Sequence, residues 1–475
     1  MKRITIAILF ILCHLGTNAN NLSISSVSLS GNFLTFTVQW ENSWRQGLEF
    51  HDAVWIFIKQ APNGGPSWTH GNISSAQATS GYETIVSSDN VGFFVRRSAD
   101  GNGTSTVQLQ AQISNPEGAF QDFKVFGVEM VYIPQGNFYA GDGVSTSRIT
   151  PGDDISKSYL ITSEAGLFCG SGSTNIDIAS ATSTGRCVDL DPNFPKGFEA
   201  FYSMKYSITQ EQYVDFLNCL PRNQQENNVQ ADISGTSVTN TYVMADQPTT
   251  FNGNVIRCPS DIGNGNITFF CDRDGDGVPN ESDDGLGRAM NYICSQNWAA
   301  YLDWAGLRPM SFLEYEKASR GPLPAVPGEF SWGSSLLVYG STIIDEGTAT
   351  EKYTESGTTG GVSTYANDVL RVGFNAIAPN PTRELSNASY YGVIDLGNNP
   401  SDFYVDYEEG LTYTGNHGDG KLSLDGNANV VNWPDTDCAG FPIKLSIANS
   451  SSVSGQGLSL SGASSSGGGR GVRNL

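Results

Sequence analysis

The segment Asp272-Arg-Asp-Gly-Asp-Gly-Val-Pro-Asn-Glu-Ser-Asp-Asp284 holds the densest chemistry in the chain. Asp272, Asp274 and Asp276 alternate with Arg and Gly, Gly277 supplies a turn, Val278 offers a backbone carbonyl, and Asp283 closes the run. That spacing wraps hard oxygen donors around calcium. Asp instead of Glu at the closing position gives one shorter arm, so moderate or weak affinity is expected. The plain alternative is a solvated acidic loop. Cys258 and Cys271 flank the short stretch leading into it, and a disulfide between them would pin its entrance.

The N-terminus decides how the cysteines are read. Lys2 and Arg3 precede an apolar run from Ile4 to Leu12, then the small-residue pattern Thr17-Asn-Ala19. This is the layout of a signal peptide over residues 1–19, with a mature chain from about Asn20 and a secreted or cell-surface destination. A lipoprotein reading of Cys13 is the alternative, but Leu12 stands where a small residue is required. Loss of Cys13 with the leader leaves seven cysteines, so at least one is free or intermolecular, and Cys169 with Cys187 is a second candidate pair. No later run approaches the roughly 20 apolar residues of a transmembrane helix. A net charge of −22 without a Lys/Arg cluster argues against nucleic acid as a partner. The leader and the composition have a bacterial character.

Several elements can be read from pattern. Phe33–Trp40, Ala53–Ile58, Val91–Val95 and Ser105–Gln110 have the length and alternation of strands, separated by turn-rich pieces, which predicts a β-sandwich-like domain over 20–128. His51 and His70 within it are lone histidines, read as packing or surface residues. Met130 to Asp142 reads as strand, turn and strand, which predicts a new domain over 129–475 with insertions at about 143–195 and 220–290. Thr209-Gln-Glu-Gln212 and Ser311-Phe-Leu-Glu314 are capping boxes and predict helices after Thr209 and Ser311, the second ended by Gly321, with a third over Trp298–Trp304. The fold class expected for this part is α+β with little regular structure.

Several of these segments carry a resemblance. Met130 to Phe138, Phe201 to Tyr213, Trp298 to Gly321, Phe330-Ser-Trp-Gly333 and Tyr391 to Asn398 follow one another as in the formylglycine-generating enzyme, or sulfatase-modifying factor, family. The resemblance implies a C-type-lectin-like α+β domain. It also implies an enzyme that oxidises a substrate cysteine with two closely spaced thiolates binding copper(I), the soft ligands that ion selects. Here the region expected to hold them, Phe441 to Gln456, has no Cys, His or Arg, and beyond Cys294 only Cys438 remains. Copper is therefore not expected. The family's calcium position would fall on the carbonyls of Leu396, Gly397 and Asn399, with Ser401 where an acid belongs and Asp402 as its substitute.

The leading expectation is an exported, non-catalytic ligand-binding or surface-structural protein with calcium. Its partner would be an extracellular polypeptide or glycan, with self-assembly a further option. One alternative is a copper-dependent oxidase using Cys438 and another ligand. Another is the variable binding protein of a diversity-generating retroelement, since some of those use this scaffold.

Overall fold

Alternation of large apolar and polar residues lets a strand bury one face, and the first strands obey it. In β2 (Phe33–Arg45) the side chains of Leu34, Phe36, Val38 and Trp40 are buried, and in β8 (Gly101–Ile113) those of Val107, Leu109, Ala111 and Ile113. These strands belong to an antiparallel sheet of order β1 (Ser23–Ser30), β2, β8, β5 (Ile73–Ala78). The computed structural model describes residues 22–62, 65, 68–114, 121–144, 148–179, 188–364, 368–377, 382–406, 412–434, 438, 445–448, 453 and 467–475. The expected signal peptide and Cys187 lie outside them.

The strand β3 (Asp52–Pro62) breaks the alternation, since every residue from Asp52 to Ala61 is buried. Val54, Ile56 and Ile58 pack with β2 and β8 to fill the sandwich core. Ala53, Trp55 and Phe57 point the other way, into a second and larger core. The sheet that contains β3 runs in the order Val472–Arg473, Phe201–Met204, β9 (Gln121–Ile133), β3, β7 (Gly92–Arg97), β6 (Tyr82–Val86), with β4 (Thr69–Gly71) also paired to β3.

This sheet crosses the boundary expected at 128. Met130–Ile133 is the end of a strand that has already paired with β3 from Gln121↔Pro62 to Val131↔Asp52, and it pairs on its other side with Phe201–Met204. The change of pattern near Val128 marks where β9 exchanges one neighbour for two, not the start of a separate sheet.

The rest of the described chain is mostly β and irregular, with few helices. The helices α1 (Gln210–Leu217) and α4 (Phe312–Arg320) start at the capping boxes of Thr209 and Ser311. Between them lie α2 (Arg222–Glu226) and α3 (Ser295–Trp304). Tyr213, Phe216, Tyr301, Leu302 and Leu313 from α1, α3 and α4 share the larger core with Trp55 and Phe57. The end of α3 is tied directly to the shared sheet. Trp55 Nε1 donates to the Ala305 carbonyl at 2.9 Å, and Lys59 Nζ donates to the Trp304 carbonyl at 2.6 Å and the Gly420 carbonyl at 2.8 Å. These donors satisfy carbonyls at the C-terminal end of the helix. Gly306 turns the chain at φ 70°, where a Cβ would strike Val91. The chain end closes the same seam, with Arg473 stacked 4.2 Å over Trp55 and paired with Asp89.

We predict that Trp55→Ala costs about 3–5 kcal/mol, from the cavity it leaves and the orphaned Ala305 carbonyl. Urea unfolding followed by far-UV and near-UV circular dichroism would show this. Because the sheet is shared, both signals should move together, and a loss confined to one of them would contradict a common core.

Candidate metal centre

The acidic loop is wound by its own side chains. A two-residue pairing of Ile256–Arg257 with Phe270–Cys271 delivers the chain to Asp272. Asp272 Oδ1 accepts the Gly275 N–H at 2.8 Å and Oδ2 the Gly277 N–H at 3.1 Å. Asp274 Oδ1 accepts the Asp276 N–H at 3.1 Å, and Asp276 Oδ1 the Val278 N–H at 2.7 Å. Such turns are what short acidic side chains form with following amides. They gather the three carboxylates, so that one oxygen from each of Asp272, Asp274 and Asp276 lies within 4.8 Å of the others.

Asp283 does not join this group. It is exposed, and its neighbour Asp284 turns inward, with its oxygens accepting the Arg273 N–H at 3.0 Å and the Glu281 N–H at 2.6 Å. The left-handed turn at Asn280 (φ 59°), whose side chain accepts the Cys271 N–H at 3.0 Å, sets this closure. Val278 sits on the exposed bend.

The loop is strongly negative. Dehydration, then Asp276, Asp284, Asp283 and Asp274, hold the Glu281 carboxyl above its usual range. Asp284 is raised by burial and by Asp272 and Asp274, against the two amides it accepts. Among the described residues the direct counter-charge at the three carboxylates is Arg257, which pairs with the buried Asp272 while its guanidinium lies 5.6 Å from the Tyr242 ring. A cation held by three converging carboxylates would relieve the remaining repulsion.

Asp274 also lines a cavity of about 360 Å³ with Asn252, Phe251, Arg273, Arg288 and Glu346. Arg288 forms its wall, held by both oxygens of the buried Glu351 through Nε at 3.0 and 3.2 Å. Glu346 bridges Arg273 at 2.7 Å and Arg288 at 3.2 Å. Sequence reading missed these partners, which come from segments more than fifty residues apart and share no local pattern.

Around the second expected calcium position the side chains engage one another. Asp402 is fully buried against Arg470, with Nε to Oδ2 at 3.0 Å, and the Gly397 N–H donates to the same oxygen at 2.8 Å. The Leu396 carbonyl accepts the Ser331 hydroxyl, and the Asn399 side chain holds Leu370 through its N–H at 3.1 Å and its carbonyl at 3.1 Å.

The thiols also depart from expectation. Cys258 and Cys271 are free and buried, as is Cys219. The strand register sets Cys271 opposite Ile256, two residues short of Cys258, so the sulfurs are not presented to each other. Burial pushes Cys258 up to about 11 and Cys271 further, which keeps both as inert thiols. Cys169 is disulfide-bonded. Cys294, at the start of α3, is bonded to the half-buried Cys438 across 144 residues, a pairing the sequence did not suggest. Within 441–456, the described pieces are a strand, Leu445–Ala448, on Ser401–Val405, and Val453, whose N–H donates to the Glu329 carbonyl at 2.8 Å.

His51 and His70 pack, one of the two readings given them, and His417 is engaged as well. His51 is buried against Tyr202, His70 contacts the Val91 carbonyl, and His417 accepts the Asn474 N–H. Among the described residues no helix is long and apolar enough to cross a membrane.

No protein-family model matches the chain, and no curated protein matches it. Solved structures that match include the group B streptococcus pilus 2b backbone protein, at 12% identity over 38% of this chain and 85% of that one, with a TM-score of 0.10.

The bond between Cys294 and Cys438 closes a long loop, so replacing both with Ser should lower stability by about 2–4 kcal/mol. The urea midpoint and a non-reducing peptide map check this together. An unchanged midpoint, or separate unlinked peptides from the native chain, would count against it.

Proposed function

We propose that this chain is an exported, non-catalytic binding or surface protein, built on a scaffold resembling the formylglycine-generating enzyme family and organised in part by calcium. The observation that carries the reading is the convergence of Asp272, Asp274 and Asp276 at the edge of the polar cavity that Asp274 shares. Asp272, Asp274 and Asp276 would hold the ion. Calcium would supply a fixed positive charge and lock the loop that forms one wall of the cavity.

The family resemblance is supported by where its motifs fall. Thr209 and Ser311, within two of those motifs, cap α1 and α4, and Met130–Ile133 of another pairs with Phe201–Met204. A ligand rich in hydroxyl or amide groups suits a cavity walled by Arg273, Arg288, Asp274, Glu346 and Asn252, so an extracellular glycan or polypeptide is the proposed class. Disulfide bonding of Cys294 to Cys438 suits an oxidising compartment.

Calcium should raise the thermal unfolding midpoint, with a gain of about 2.7 kcal/mol at a hundredfold excess over the dissociation constant. Replacing Asp274 and Asp276 together by Asn should abolish that response and the calcium-dependent part of binding to a glycan and peptide array. No response in the native chain, or an equal response in the double variant, would refute the reading.

A further inference from the structure

The shared sheet brings three ionisable side chains together away from the acidic loop. Asp52 opens β3, Glu129 lies on β9, and Lys205 follows Phe201–Met204, its N–H donating to the Glu129 carbonyl at 2.8 Å. Side chains opposite one another on antiparallel strands share a face. Lys205 Nζ is 3.2 Å from Asp52 Oδ2, 3.0 Å from Glu129 Oε2 and 3.1 Å from the Asn42 carbonyl. The three side chains are 4%, 1% and 3% exposed.

The two acids are not equivalent. Asp52 Oδ1 accepts the Trp44 N–H at 2.9 Å and the Ser43 hydroxyl at 3.2 Å, which fixes its carboxyl. Among the described residues, Glu129 Oε1 is buried with no hydrogen-bond partner. A buried carboxylate with an unpartnered oxygen is costly, and a neutral acid is much less so. Burial, with Asp52 and Glu41, pushes Glu129 up to about 7 against the pull of Lys205, and burial raises Asp52 as well. Burial also opposes the Lys205 charge, but Glu129, Tyr206 and Asp52 outweigh it. Beside Glu129 lies a cavity of about 10 Å³, the size of one water.

We propose that Lys205 and Asp52 become joined by an intramolecular isopeptide bond, formed in the folded chain with Glu129 as the proton relay. The starting state is an ammonium, the Asp52 carboxylate and the neutral Glu129 acid. Moving one proton from Lys205 to Asp52 leaves an amine and two neutral acids, an uncharged set suited to a dry site. The Nζ lone pair then attacks the Asp52 carboxyl carbon, forming the C–N bond. Glu129 takes a proton from that nitrogen and returns one to a hydroxyl on the former carboxyl carbon, whose C–O bond breaks. One amide and one water result, with no change of oxidation state and no co-reactant. Folding supplies the driving proximity, since both reacting groups are held in place by the strands that carry them. The bond would staple β3 to Phe201–Met204 across β9, joining the two parts of the molecule covalently.

Mass spectrometry of the purified full-length chain, reduced and alkylated, tests this. The intact mass should fall one water below that of its sequence, and trypsin should leave Lys205 uncut in a branched peptide that also carries Asp52. In Lys205→Arg the branch should vanish, and in Glu129→Gln its formation should slow by about a hundredfold or more. A native chain that unfolds cooperatively yet yields only a linear Lys205 peptide would overturn the proposal without need of any variant. A branch to Glu129 in place of Asp52, or full cross-linking in Glu129→Gln, would overturn the assigned roles.

Discussion

The strand Asp52–Pro62 is buried on both faces, and the other parts of the molecule are arranged around that constraint. A strand with one apolar face can lie at a surface, but one with Val54, Ile56 and Ile58 on one side and Trp55 and Phe57 on the other must be covered twice. The first cover is the sheet of β2 and β8. The second is the helical region, whose α3 ends against Trp55 and Lys59. Each fully buried large side chain is worth about 1.5–3 kcal/mol relative to exposure, so the two covers are comparable in what they contribute per residue. Neither part of the chain can bury this strand alone.

The chain buries charge as well as apolar surface. Arg470 carries Asp402 and also donates to the Ile394 and Asp395 carbonyls, Arg308 holds Glu314, and Arg473 reaches Asp89. Dehydrating such pairs offsets much of their attraction, so their main effect is on register: a slipped strand would leave an unpaired ion, which is far costlier. Lys205, between Asp52 and Glu129, is buried on the shared sheet. The irregular C-terminal half is thereby held by specific polar contacts where it lacks long ladders.

The acidic loop follows a different logic. Its shape comes from hydrogen bonds between residues two to five positions apart, so it forms locally once Cys271 is anchored. Its surroundings are remote in sequence: Arg257 tempers Asp272, and Arg288, Glu346 and Glu351 build the cavity beside it. Local winding sets which carboxylates converge, and tertiary packing sets how much negative charge is left for a cation.

Sequence alone determined what short-range hydrogen bonding and periodicity control. The capping boxes at Thr209 and Ser311, the alternation in β2 and β8, and the gathering of Asp272, Asp274 and Asp276 were all legible, because the partners lie within a few residues. Tertiary structure decided the rest. It ran one sheet through the apparent boundary at 128, since strand pairing over seventy residues leaves no periodic trace. It set Cys271 against Ile256 so that Cys258 stayed free. It bonded Cys294 to Cys438 and put Arg470 on Asp402, where the sequence had pointed to calcium. In the shared sheet, the disulfide and the Arg470–Asp402 pair, the deciding contact joins groups tens of residues apart in sequence, so no local pattern announces it and only the packed chain brings the partners together.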